Sequence, residues 1–307
     1  MRHRFSGAAG RRFTMQIREG YIPFKAGKTY YRISGTSREN KKPLLLLHGG
    51  PGSTHNYFEV MDDLAEKDGR MIVMYDQIGC GNSYIEGHPE YFNAETWIEE
   101  LIQLRKQLGL DEVHILGQSW GGMMELLYAL DYHPKGVHSY ILSSTLPSAK
   151  LWEQEQHRRI SYMAQKHQDA FAKALASGCY DDPAYLEALD VFMDQHCNPI
   201  MEHLPECMTR EKKSGSESYV IGWGHNEFTP TGTLSGYEVT SRLHEIQTPC
   251  LITSGQRDLC SPYIAKTMYD RLPHAKWELF AYSGHMPFVE ENEKYEKILA
   301  QWLNEND

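Results

Sequence analysis

One stretch constrains what this chain can fold into more than any other. Glu112-Val113-His114-Ile115-Leu116 is short, apolar and β-branched, as a buried strand is, and Gly122 to Tyr132 is a helix-forming run that stops at Pro134. Between them stands Gly117-Gln118-Ser119-Trp120-Gly121. A serine in a glycine-flanked turn from strand to helix is the setting in which a hydroxyl is thrust out as a nucleophile; the same pattern in an ordinary loop carries no such meaning. Gly117 and Gly121 remove side chains that would collide where strand and helix close on a strained turn. The helix start turns unpaired N–H groups, and the positive end of its dipole, toward any anion forming at Ser119.

The flanking chain repeats this strand-then-helix rhythm. Residues 15–33 alternate apolar and polar around Gly27-Lys28, which predicts an edge hairpin. Leu44-Leu45-Leu46-Leu47 is a continuous apolar run, as in a strand covered on both faces, and it ends in His48-Gly49-Gly50-Pro51-Gly52. A helix over 56–67, a strand over 71–75 and the glycine-rich loop Asp76-Gln77-Ile78-Gly79-Cys80-Gly81 follow. Thr96, with Glu99 three residues on, predicts a capping box for the next helix. A strand over 137–142 follows the elbow helix; later strands over 250–253 and 277–280 end in Ser254-Gly255-Gln256-Arg257-Asp258 and Ser283-Gly284-His285. Such alternation predicts an α/β protein with a mostly parallel sheet and helices on both faces.

The rhythm lapses at about Leu146 and returns after Tyr237. Residues 150–175 are helical and rich in Gln, His and charge, and Asp182-Pro183 opens a further helix with Pro at its first position. We therefore read residues 146–237 as a helical cap inserted into a core formed by residues 15–145 and 238–307. Residues 1–14 read as a disordered extension, with Met15 an alternative start.

Composition narrows the partners. A formal charge of −10 with no basic stripe argues against nucleic acid, and no apolar run is long enough to span a membrane. The arginines near the N-terminus precede no apolar segment, so no secretory signal is expected. Six dispersed cysteines without Cys-x-x-Cys spacing fit a reducing, cytoplasmic compartment. Cys80, in a loop near the elbow, is the one to watch.

Acyl transfer needs a nucleophile, a base and a group that orients the base. Ser119, Asp258 and His285 occur in that chain order, each just past an expected strand, and loops at the carboxyl ends of parallel strands converge on one crevice. His285 is one of 15 histidines and Asp258 alone would pass for a helix cap, so the trio in context carries the reading. An oxyanion needs two donors: the N–H of Trp120, directly after the nucleophile, and one from the His48–Gly52 loop, best Gly50. No metal or other cofactor is called for.

His48-Gly49-Gly50-Pro51-Gly52, Asp76-Gln77 with Gly79, Gly81 and Ser83, Gly117-Gln118-Ser119-Trp120-Gly121-Gly122 and Ser283-Gly284-His285, with the cap stretch Gly222-Trp223-Gly224-His225-Asn226-Glu227-Phe228-Thr229, together resemble the proline iminopeptidase (prolyl aminopeptidase) family of α/β-hydrolases, most of all the lactobacillus-type enzymes. The resemblance runs from about Met15 to the C-terminus. It implies an α/β-hydrolase fold and release of an N-terminal residue, often proline, from short peptides or aminoacyl amides with a free amino terminus. It also implies that Glu227 receives the substrate ammonium, which a partly desolvated carboxylate binds by charge-assisted hydrogen bonds.

Some relatives carry a second acid directly after the triad Asp; Leu259 stands there, leaving Glu238 as a weak candidate. Tyr219, Trp223 and Phe228 could wall an apolar slot or could equally be cap core. Glu125 lies where the elbow helix should be apolar, and reads as a salt-bridged helix residue. An amino-acid amidase or carboxylesterase indifferent to a free amino terminus remains the alternative enzyme. A binding protein on the same scaffold is the non-enzymatic one. The preferred first residue and the oligomeric state are left open.

Overall fold

The computed structural model describes residues 16–307, so the expected extension over 1–14 and the alternative start at Met15 lie outside the described residues. Eight strands form one sheet: β1 Ile17–Phe24, β2 Gly27–Ser34, β3 Leu44–Leu47, β4 Ile72–Tyr75, β5 Val113–Gln118, β6 Val137–Ser143, β7 Cys250–Gly255 and β8 Ala275–Phe280. Their spatial order is β1-β2-β4-β3-β5-β6-β7-β8. β1 and β2 pair antiparallel, as do β2 and β4, while the strands from β4 to β8 run parallel.

The side-chain alternation of β3 explains why the sheet is covered twice. Leu45 and Leu47 enter a core with Trp97, Leu101 and Trp120 on one face, and Leu44 and Leu46 enter a second with Phe58, Phe288 and Trp302 on the other. Helix α1 (Ala94–Gln107) and helix α2 (Trp120–Leu127) supply much of the first layer.

Three local expectations shift. The hairpin turns at Lys25-Ala26, with Lys25 at φ 48°, and Gly27 is already paired to Phe24 in the ladder. The cap of α1 is Asn93, whose side chain accepts from the Thr96 amide at 3.0 Å, so Thr96 sits inside the helix and Glu99 pairs with Lys25 instead of closing a capping box. The stretch expected as one helix over 56–67 winds unevenly, as a 3₁₀ turn over His55–Met61, a short α turn, and a π turn over Ala65–Gly69.

Between β6 and β7 the described residues contribute helices and no strand of the sheet. Four helices carry most of this segment: α3 Ala149–Ile160, α4 Gln165–Ser177, α5 Pro183–His196 and α6 Ser216–Gly222. Its two ends run side by side, with the Ala149 amide donating to Tyr237 O and the Val239 amide to Pro147 O, both at 2.9 Å. The β7–β8 connection holds α7 (Pro262–Tyr269), and α8 (Asn292–Glu305) closes the chain against the sheet. No helix of the described residues is long and apolar enough to cross a membrane.

The C-terminal residue is tied into the body of the protein. Arg70 is fully buried, and its two Nη groups donate to the two Asp307 carboxylate oxygens at 2.8 Å each while Nε donates to Asp68 at 2.8 Å. Arg70→Ala leaves Asp68 and Asp307 with only Lys41 nearby, at 3.2 and 4.0 Å, and is expected to cost about 3 kcal/mol, read as a lower urea midpoint at unchanged m-value.

Candidate active site

The turn from β5 into α2 is strained at one residue. Ser119 takes φ 55° and ψ −117°, held by its own amide donating to Ser143 O at 3.0 Å and by Thr145 Oγ1 donating to Ser119 O at 2.7 Å. The glycines on either side are required by close approach: a Cβ on Gly117 would strike the carbonyl of Gly121, and one on Gly121 would strike the carbonyl of Leu47. This backbone aims the Ser119 side chain into a cavity of about 470 Å³ at the carboxyl ends of the strands, lined also by Gly50, Tyr219, Glu227, Leu259 and His285.

His285 and Asp258 meet there. The imidazole donates through Nδ1 to Asp258 Oδ1 at 2.8 Å, and the fully buried carboxylate also accepts from the amides of Cys260 at 2.8 Å and Gly255 at 3.1 Å. Three acceptor contacts fix the carboxylate, which in turn leaves Nε2 of His285 as the free ring nitrogen. The His285 backbone is tethered from the other side, where Gln118 Nε2 donates to its carbonyl at 3.4 Å. Ser119 faces the same cavity, but no hydrogen bond of the described residues joins its hydroxyl to His285; free enzymes commonly leave this contact long. Asp258, Cys260 and His285 are also the one group among the described residues whose ligand atoms, within 4.8 Å of one another, could share a metal ion. Their mutual hydrogen bond already engages the first and last.

The expected donor loop is built by a polar network that the sequence left unassigned. Gly50, at φ 113°, leaves no room for a Cβ, which would press on the Gly52 amide nitrogen at 2.6 Å. Gln77 ties this loop to the elbow helix: its Nε2 donates to His48 O at 2.9 Å, and its Oε1 accepts from the Trp120 indole at 2.8 Å. The Gln77 amide donates to His48 Nε2 at 3.0 Å, and burial holds that imidazole neutral, down at about 4. Tyr57 accepts from the Gly49 amide at 2.6 Å and donates to Gln118 at 2.9 Å, so one hydroxyl couples the donor loop to the residue before Ser119. Tyr57 and the Gln77 contacts had no detectable sequence signal beyond the Asp76-Gln77 motif.

Glu227 faces this machinery from the helical segment. Tyr219 Oη donates to its carboxylate at 2.5 Å, and burial pushes the acid up to about 7 even though the Tyr219 hydrogen bond and the nearby His285 both pull it down. The indole nitrogens of Trp152 and Trp223 both donate to the Glu227 carbonyl, at 2.8 and 3.2 Å. The Glu227 backbone is thereby clamped from two sides.

Other expected residues fall elsewhere. Of the three aromatics proposed as a slot, Tyr219 lines the cavity; Trp223 is buried edge-on against Trp152, and Phe228 packs with Phe171 and Phe192 in the core of the helical segment. Glu238 lies outside the cavity, beside Lys150 and Arg271 in a separate groove, so it supplies no second carboxylate. Cys80 is buried, bonded to Gln77 O at 3.2 Å, and burial drives its thiol well above the ordinary range, the opposite of activation. Glu125 has no ion-pair partner among the described residues; it lies fully buried under the elbow, where desolvation pushes its carboxyl well above the ordinary range.

Comparison with known proteins places the chain in a family. Residues 42–292 match the α/β hydrolase fold family. The proline iminopeptidase of Clostridioides difficile is 68% identical over 95% of this chain and 100% of its own length. This chain belongs to the proline iminopeptidase family. The Lactobacillus delbrueckii subsp. lactis proline iminopeptidase is 56% identical over the same shares, 95% and 100%. The crystal structure of proline iminopeptidase from Mycobacterium smegmatis superposes with a TM-score of 0.83 at 27% identity, covering 94% of this chain and 98% of that one. The lactobacillus resemblance read from the motifs is thus matched along nearly the whole family member.

Proposed function

We propose that this chain is a serine exopeptidase of the prolyl aminopeptidase type, with Ser119 as nucleophile, His285 as base and Asp258 as its orienting acid. The observation that carries the reading is a carboxylate, Glu227, lining the same cavity as Ser119 and His285. The substrate's ammonium pairs with Glu227 and its first carbonyl lies over Ser119. The Ser119 hydroxyl attacks that carbonyl as its proton passes to Nε2 of His285, and the oxyanion rests on the amides of Gly50 and Trp120. The imidazolium, steadied by Asp258, protonates the leaving amine as the scissile C–N bond breaks. Water then attacks the acyl-enzyme, giving its proton to His285, and the freed residue leaves with Ser119 reprotonated.

Short peptides and aminoacyl derivatives with a free N-terminus are the substrates, and the helical segment 146–237 acts as the cap that carries the ammonium anchor. All six cysteines are unpaired, which suits a cytoplasmic protein. The test compares prolyl-naphthylamide with its N-acetyl counterpart. We expect kcat/KM for the acetylated compound to be at least about 100-fold lower, because acylation removes the charge that Glu227 recognises. Equal rates would favour the amidase or carboxylesterase reading and release Glu227 from its role.

A further inference from the structure

The cavity also holds a charge of opposite sign to Glu227. The stretch Arg210–Lys213 carries three cations, and the two that do not line the cavity are committed elsewhere. Arg210 pairs with Glu59 at 3.0 Å and with Glu206 at 2.6 Å, while Lys213 lies over the Tyr84 ring at 3.3 Å and reaches Glu86 at 3.6 Å. Lys212 lines the cavity and has no acidic partner among the described residues. It does not spring from a loose loop. The Gly81 amide donates to Lys213 O at 2.7 Å and the Gly215 amide to Gly52 O at 2.8 Å, pinning the backbone just after Lys212 to the very loops that shape the donor site.

We propose that Lys212 is a specificity-determining residue that receives the C-terminal carboxylate of a very short peptide. This rests on the exopeptidase reading and deepens it. An ammonium anchor and an unpaired cation that line the same cavity as Ser119 suit a molecule charged at both ends. A dipeptide or tripeptide has that form: its extended chain spans at most about 3.3–3.6 Å per residue, which keeps both termini inside one cavity of this size. Longer peptides and neutral amides place no charge at Lys212. The preferred substrates are therefore peptide fragments already cut down by endopeptidases or by longer-range exopeptidases.

The experiment measures kcat/KM for Pro-Ala and Pro-Ala-amide with the wild type, Lys212→Gln, Lys212→Arg and, as a control, Lys213→Gln. Comparing acid-to-amide ratios between variants cancels the different leaving groups. We expect the ratio to drop about 5-fold in Lys212→Gln, mainly through KM, and to be retained in Lys212→Arg and Lys213→Gln, as suits a partly exposed ion pair. The wild-type preference should also shrink as salt rises. A ratio unmoved by Lys212→Gln, or moved equally by Lys213→Gln, overturns the assignment. Failure of the underlying reading looks different: N-acetylated and free substrates would then turn over alike in every variant.

Discussion

Ser119→Ala is expected to lower kcat/KM for prolyl-naphthylamide by roughly 10⁴–10⁶-fold and to abolish labelling by a fluorophosphonate. The size follows from the division of labour. Without the hydroxyl no acyl-enzyme forms, and the amides of Gly50 and Trp120 can only assist direct attack by water. Asp258→Asn tests the same unit from its other end. Its carboxylate accepts from His285 Nδ1 at 2.8 Å and from two backbone amides, so an amide in its place puts a donor where acceptors are required and turns the imidazole to the wrong tautomer. A loss of about 10⁴-fold in kcat is expected there, with the fold intact by circular dichroism. Full turnover by Ser119→Ala would remove the mechanism outright.

Glu227→Gln should be the next most damaging change, lowering kcat/KM for free-amine substrates by about 10²–10³-fold, since the substrate ammonium would enter a half-buried site with no counter-charge. Rates on N-acetylated esters should fall far less, so discrimination between the two classes narrows. The pH profile gives an independent reading. Burial raises Glu227 to about 7, so in the free enzyme its charged form, and with it kcat/KM, grows as pH rises through 7. At higher pH the substrate's α-ammonium deprotonates near about 8 and the rate falls again. Bound ammonium favours the carboxylate, so the acid limb of kcat should lie below that of kcat/KM. Tyr219→Phe removes a hydrogen bond to the charged form and should move the kcat/KM limb to higher pH. A limb that ignores both substitutions would separate Glu227 from substrate binding.

Much of the core could be read directly from the chain because its strands are of the least ambiguous kind. Leu44–Leu47 is apolar at every position, and a strand buried on both faces can be little else. Ser119 and Asp258 were legible because each follows a strand buried along its whole length, and His285 because it follows the edge strand β8, whose end a parallel sheet delivers to the same crevice. What escaped was set by tertiary packing. Trp223 and Phe228 are apolar residues next to Glu227, and nothing in their spacing distinguishes a residue that faces a cavity from one that faces its neighbours' rings. Asn93 and Thr96 are both good caps, and the helix takes Asn93, while Glu99 pairs with Lys25 in the β1–β2 turn, a partner distant in sequence. Tyr57 and Gln77 act through partners distant in sequence, which no local pattern encodes.

The two indoles that grip the Glu227 carbonyl have a consequence for the products. An anchor that cannot slide sets a fixed step from chain end to cleavage point, and each cut exposes a new terminus of the same kind. Mass spectra of a digested oligoproline should therefore show a ladder of one-residue decrements starting at the amino end, with free proline accumulating and no Pro-Pro liberated as a unit until the last two residues remain.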